Sequence, residues 1–136
     1  MKANGKLAVD TNAVIAYREG ISAVCTLIDD TDMLFLPVIV LGELLYGAIN
    51  SSKPEKNVQD VNKFSATSIL MPVDEAVATH YAKVRSDLKM KGHPIPENDI
   101  WIASICEELD VPLLSNDGHF KHIEKLEVIN WEKIKL

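Results

Sequence analysis

Short apolar runs alternate with longer helical patterns along this chain, and that alternation narrows the folds open to it. The runs fall at 6–9, 33–36, 68–71, 112–115 and 127–130. Helical periodicity fills the intervals at 12–29 with a break near Gly20, at 38–49, 54–66, 74–91 and 98–109, with a short turn or helix at 117–124. Short strands joined by helix-length crossovers pair in parallel. The expected fold is therefore α/β, with a mostly parallel central sheet flanked by helices on both faces. The polar stretch "NSSKPEKN" (50–57) and the loop "GHPIPE" (92–97) are too short to divide the chain, and a single domain over 1–136 is expected. Folds of this class bind ligands beyond the carboxyl ends of their strands.

Four acids interrupt apolar runs. Asp10 follows Leu7, Ala8 and Val9 at the end of the first strand. Glu43 is the only charged residue between Val38 and Ala48, in a helix apolar on nearly every side. Such a helix is buried, and a buried, unpartnered carboxylate costs several kcal/mol or takes up a proton. Asp99 stands before Ile100, Trp101 and Ile102 at the rim of the core, and Asp117 lies just past the strand that ends at Leu114. Each has an ordinary explanation: Asp10 as a helix cap, Glu43 reaching the surface, Asp99 and Asn98 at a helix start, Asp117 in a turn. Together they can converge on one sheet edge. Like charges a few ångström apart need a counter-ion, and an all-oxygen set suits Mg²⁺ or Mn²⁺. Asn12 and Ser115 each lie two residues from one of these acids and are candidates to orient it.

Other titratable residues read more plainly. Asp74 and Glu75 belong to a helix start, His80 to a helix surface and His93 to a loop; His119 and His122 flank the proposed site three residues apart, as candidate metal ligands or, in the plainer reading, as part of a solvated turn. Cys25 and Cys106 lack metal-ligand spacing and are expected as buried free thiols. Trp101 and Trp131 are core or interface residues. No apolar run approaches the ~20 residues of a membrane span, and the N-terminus lacks a signal-peptide core, so a cytoplasmic protein with no membrane partner is expected. The net charge of −6 argues against a general affinity for nucleic acid, unless cations neutralise part of it. Basic residues nonetheless cluster at Lys83, Arg85, Lys89 and Lys91, and Arg18 and Lys121 are further candidates for RNA contact.

The segments "LAVDTNAVIAY", "LPVIVLGELLYGA", "GHPIPENDIWIASI" and "PLLSNDGHFKHIEKLEVINW" stand in an order and spacing that resembles the PIN-domain family, most closely its VapC-type toxins of bacterial toxin–antitoxin modules. The resemblance runs from residue 6 to about 131. It implies that the family's acidic quartet falls on Asp10, Glu43, Asp99 and Asp117, as catalytic and metal-holding residues, with Asn12 and Ser115 behind them. A hydroxyl residue that is often Thr in the family is Ser115 here. The resemblance further implies a Mg²⁺- or Mn²⁺-dependent endoribonuclease that hydrolyses phosphodiester bonds with a metal-activated water. It leaves 5′-phosphate and 3′-hydroxyl ends, with Glu43 the first candidate to accept a proton. The implied partners are an RNA substrate, a small cognate antitoxin and a second copy of the chain in a homodimer.

Three other readings compete. A phosphatase-type fold wants a second Asp where this chain has Asn12. A receiver-type signalling module wants adjacent acids after the first strand. A PIN-like RNA- or protein-binding module with weak or lost catalysis would keep the fold and bind Mn²⁺ poorly.

Overall fold

A computed structural model describes residues 5–134. Residues 1–4 and 135–136 of the expected domain lie outside them. Strand β1 (Lys6–Val9) is followed by helices α1 (Thr11–Arg18) and α2 (Ser22–Asp30), strand β2 (Met33–Pro37), and helices α3 (Val38–Ile49) and α4 (Pro54–Ala66). Strand β3 (Ile69–Met71), helices α5 (Glu75–Lys91) and α6 (Glu97–Leu109), strand β4 (Leu113–Leu114) and strand β5 (Val128–Ile129) complete the order. Two 3-10 turns, Gly118–His122 and Trp131–Lys133, flank β5.

All four strand pairings are parallel, in the order β3-β2-β1-β4-β5. β1 is central, with Leu7 opposite Leu34 and Val9 opposite Leu114. A strand paired on both sides and covered on both faces must be apolar throughout, and Leu7, Ala8 and Val9 are fully buried. The chain steps outward from β1 to β3, then crosses back to β4. Parallel crossovers are right-handed, so this reversal sends α1–α4 and α5–α6 to opposite faces. It also opens a switch point between the carboxyl ends of β1 and β4, where ligands bind in such sheets.

Most expected elements are present, with informative differences at their ends. The break expected near Gly20 is present and separates α1 from α2, because Gly20 adopts a left-handed φ of +78° that closes α1. Ser68, expected in the third strand, instead belongs to a turn, its hydroxyl donating to Ser65 O at 2.9 Å. Ser115 and Asn130, expected in β4 and β5, lie just beyond them. The polar stretch 50–57 is loop only as far as Lys53, and Pro54 opens α4 at the position where its missing N–H costs nothing. Asp74 caps α5 as expected, accepting from Val77 N at 3.0 Å. Asn98 does not cap α6. The cap position is Pro96 and has no side-chain bond, which frees the Asn98 amide for another task.

Cys106 is buried as expected, and burial pushes its thiol up, whereas Cys25 is only half-buried. Trp131 is in the core; Trp101 is half-buried and stacks on Tyr81 at 3.8 Å. His80 faces two carboxylates, Glu107 at 3.3 Å and Glu108 at 3.2 Å. No helix among the described residues is long and apolar enough to cross a membrane.

Candidate active site

Four elements deliver the acids to the switch point. Asp10 is the residue after β1 and the cap of α1, so the cap reading and the cluster reading both hold: its Oδ1 accepts from Thr11 N at 2.8 Å. Asp117 stands after β4 as the cap of the 3-10 turn and accepts from His119 N at 2.9 Å. Asp99 lies in the first turn of α6 and Glu43 midway along α3.

Hydrogen bonds link the four into one chain. Thr11 Oγ1 donates to Glu43 Oε1 at 2.6 Å while its backbone N–H serves Asp10. Ser115 Oγ donates to Asp10 Oδ2 at 2.8 Å and accepts from Asp117 N at 3.0 Å. Asn12 Nδ2 contacts the same Asp10 oxygen at 3.2 Å and its Oδ1 faces Asn116 N at 3.4 Å. His119 Nδ1 lies 2.9 Å from Asp99 Oδ2 and 3.1 Å from Asp117 Oδ1. Asn98, beside Asp99, donates to Glu43 Oε2 at 3.2 Å and brings the chain back to its start.

The electrostatics of this arrangement are unfavourable without a cation. Asp10 is 4% exposed. Its carboxyl is pushed up to about 6, first by burial, which outweighs the Ser115 and Thr11 hydrogen bonds, and further by the charges of Asp99 and Glu43. Burial also raises Asp99, the His119 hydrogen bond opposes it, and Asp117 and Glu43 add repulsion. No Lys or Arg among the described residues reaches ion-pair distance of any of the four acids, and His119 is the one basic side chain that does. A crowded set of hard oxygen donors with mutual repulsion and no Lys or Arg counter-charge fits a divalent cation. Asp99, Asp117 and His119 offer ligand atoms that all lie within 4.8 Å of one another.

Thr11 and Asn98 are the residues that the sequence did not single out for these tasks. Thr11 carried no signal: its contact with Glu43 depends on how α3 packs over the end of β1. Asn98 carried a misleading one, since it has the composition of a cap. His119, read from the sequence as a solvated turn residue or a candidate metal ligand, has its ring set against both Asp99 and Asp117.

The basic candidates are scattered. Lys121 lines a cavity of about 450 Å³ with His93, His119, His122 and Asp117, so this cavity opens directly beside the acids. Lys83 lines a second cavity of about 430 Å³ with Asp110 and Pro112, which precede β4, at the opposite end of α6 from Asp99. Arg85 is engaged by Glu97 at 3.5 Å and Tyr81 at 2.7 Å, Arg18 by Asp60 at 3.3 Å, and Lys91 by Asp87 at 2.8 Å.

Known proteins share both the sequence pattern and the fold. A family model described as PIN domain matches residues 7–126. Ribonuclease VapC2 of Haemophilus influenzae is 28% identical over 129 residues, 93% of this chain and 98% of that protein. Ribonuclease VapC2 of Rickettsia felis is 33% identical over 96 residues, 70% of this chain and 72% of its own. The tRNA(fMet)-specific endonuclease VapC of Shigella flexneri is 29% identical, covering 68% and 71%. Among solved structures, VapBC2 from Rickettsia felis bound to a promoter DNA fragment superposes with a TM-score of 0.86 at 25% identity, covering 93% of this chain and 98% of that one. VapBC-5 from Mycobacterium tuberculosis, of the VapBC family of toxin–antitoxin systems, shares the fold at a TM-score of 0.73 and 23% identity, covering 91% and 97%. The family match takes in β1 through the turn after β4, and so every element that carries one of the four acids: the chain belongs to the PIN-domain family.

Proposed function

We propose that this chain is a divalent-metal-dependent endoribonuclease, the toxin component of a type II toxin–antitoxin module, with Mg²⁺ or Mn²⁺ as its cofactor. The observation that carries this reading is the convergence of Asp10, Glu43, Asp99 and Asp117 at the switch point, linked by hydrogen bonds and without a Lys or Arg partner. The ribonuclease names of its relatives and the toxin–antitoxin assemblies among its structural neighbours support it.

In this reading Asp10, Asp99, Asp117 and Glu43 would hold the metal, which would supply a Lewis acid to acidify water and offset charge on the phosphate. The chain's own residues prepare the geometry. Ser115 and Asn12 fix Asp10 from behind. Thr11 and Asn98 each hold one oxygen of Glu43, which leaves that carboxylate oriented to take up a proton. The cavity beside Asp117 gives RNA a path to the acids, with Lys121 placed to meet a phosphate. The products carry 5′-phosphate and 3′-hydroxyl ends. A cognate antitoxin and a homodimer complete the proposed assembly.

The test is cleavage of RNA by the purified, partner-free protein in Mg²⁺, in Mn²⁺ and in EDTA, with Asp99→Asn alongside and the product ends identified. Cutting that leaves 5′-phosphates and stops in EDTA and in the variant supports the proposal. A 2′,3′-cyclic phosphate product, or cutting that persists in EDTA, overturns it. Failure to bind Mn²⁺ would instead favour a PIN-like binding module that has lost catalysis.

A further inference from the structure

The geometry points to His119 as a direct nitrogen ligand of the cation, so that the site is a mixed one of carboxylates and one imidazole. This rests on the proposed metal site and specifies its donor set.

A six-coordinate cation with bonds near 2.1 Å holds neighbouring donors about 3.0 Å apart. His119 Nδ1 lies 2.9 Å from Asp99 Oδ2 and 3.1 Å from Asp117 Oδ1. These separations match adjacent donors around one ion, and the three ligand atoms all fall within 4.8 Å of one another. They also match hydrogen bonds, so distance alone does not separate a ligand from a carboxylate-orienting partner.

The local fold favours the ligand role. Asp117 caps the 3-10 turn by accepting from His119 N at 2.9 Å, so the two residues are fixed to each other through the backbone. Asp99 comes from α6, where it is buried. The ring therefore bridges a buried acid on a helix and a half-buried acid on a turn, with its Nδ1 edge aimed between them. A partner needed only to orient one carboxylate would have no reason to address two. An imidazole in the set also changes which ions bind well: nitrogen donors favour Co²⁺, Ni²⁺ and Zn²⁺ over Mg²⁺, compared with an all-carboxylate site.

The decisive experiment is pulsed EPR on the full, partner-free chain loaded with one equivalent of Mn²⁺, compared with His119→Gln. Directly bound imidazole gives a strong ¹⁴N modulation in the wild type that disappears in the variant. Titration in parallel follows the ratio of Co²⁺ to Mg²⁺ affinity, which falls about tenfold or more on removing the nitrogen. Mn²⁺ bound without ¹⁴N coupling overturns the ligand role and leaves the carboxylate site standing. No Mn²⁺ binding by the wild type overturns the metal site and this inference with it. The wild-type spectrum decides the matter even if the variant fails to fold.

Discussion

Ser115 and Asp10, separated by 105 positions in the sequence, share a buried hydrogen bond of 2.8 Å across the junction of β4 and β1. The Ser115 side chain is fully buried, and its oxygen also receives Asp117 N, so one hydroxyl couples two acids of the cluster. Ser115→Ala leaves Asp10 Oδ2 with the longer Asn12 contact and Asp117 N without its acceptor. Leaving a buried donor or acceptor unmade costs about 1–3 kcal/mol. Urea unfolding of the metal-free protein should show a loss in that range. A change below about 0.5 kcal/mol, the level of an ordinary surface substitution, would mean that the bond does not tie the strands together.

Asp99→Asn separates stability from activity. The wild-type carboxyl is buried, raised above the usual range by that burial, and repelled by Asp117 and Glu43. The amide keeps an oxygen for His119 and removes the charge. The metal-free variant is expected to be more stable than metal-free wild type by roughly 1 kcal/mol, while cleavage falls on the order of 100-fold or more. Thermal melts in EDTA beside the cleavage assay read both effects. Stability lost together with activity would show that Asp99 is a structural acid.

Asp10, Glu43 and Asp99 were visible because a carboxylate beside an apolar run is costly, and Asp117 because it follows an apolar strand as Asp10 does; α3 is nonetheless open to solvent at Tyr46 and Ile49, so Glu43 is half-buried rather than enclosed. The sheet was visible because a strand buried on both faces leaves an unbroken apolar run, as Leu7, Ala8 and Val9 do. The supporting contacts were hidden for a physical reason. Thr11 reaches Glu43 across 32 positions, Asn98 reaches it across 55, and both depend on how helices pack. Local chemistry gave each an adequate role nearby, and nothing local distinguishes a helix-start Asn that caps from one that reaches across. The sequence extends the strands through Ser68, Ser115 and Asn130 for a similar cause, since a residue beside a short strand has the same composition whether or not it pairs.

The pH dependence of stability follows from Asp10. Its carboxyl is raised to about 6 in the folded protein against 3.8 as a free group, first by burial. The folded state therefore holds this proton more tightly than the unfolded state. The contribution to stability is fully present below about pH 4, falls as pH rises through 6, and is gone above it. The whole span is worth about 3 kcal/mol. Chemical denaturation in EDTA across pH 4–7.5 should show wild type losing stability relative to Asp10→Asn by up to that amount. Saturating Mg²⁺ should reverse the trend, because the cation binds the deprotonated carboxylates. A wild-type-minus-variant difference that stays flat in EDTA would mean that Asp10 is better solvated than its 4% exposure indicates.

The two lysines on different cavities make opposite predictions about RNA. Lys121 shares its cavity with Asp117 and His119, whereas Lys83 lines the one at the far end of α6. A 13-residue helix is about 20 Å long, several nucleotide lengths of separation. If RNA enters beside Asp117, only Lys121 meets a phosphate close to the cut. Each phosphate contact contributes a little under one unit to the slope of log affinity against log salt for a single strand. Lys121→Ala should therefore flatten that slope by about 0.7, and Lys83→Ala should leave it unchanged, when a short RNA is titrated onto the Asp99→Asn protein to prevent cutting. An unchanged slope for Lys121→Ala with a flattened one for Lys83→Ala would move the RNA path to the α5 face and make the basic residues there, rather than the cavity beside the acids, the surface that holds the substrate.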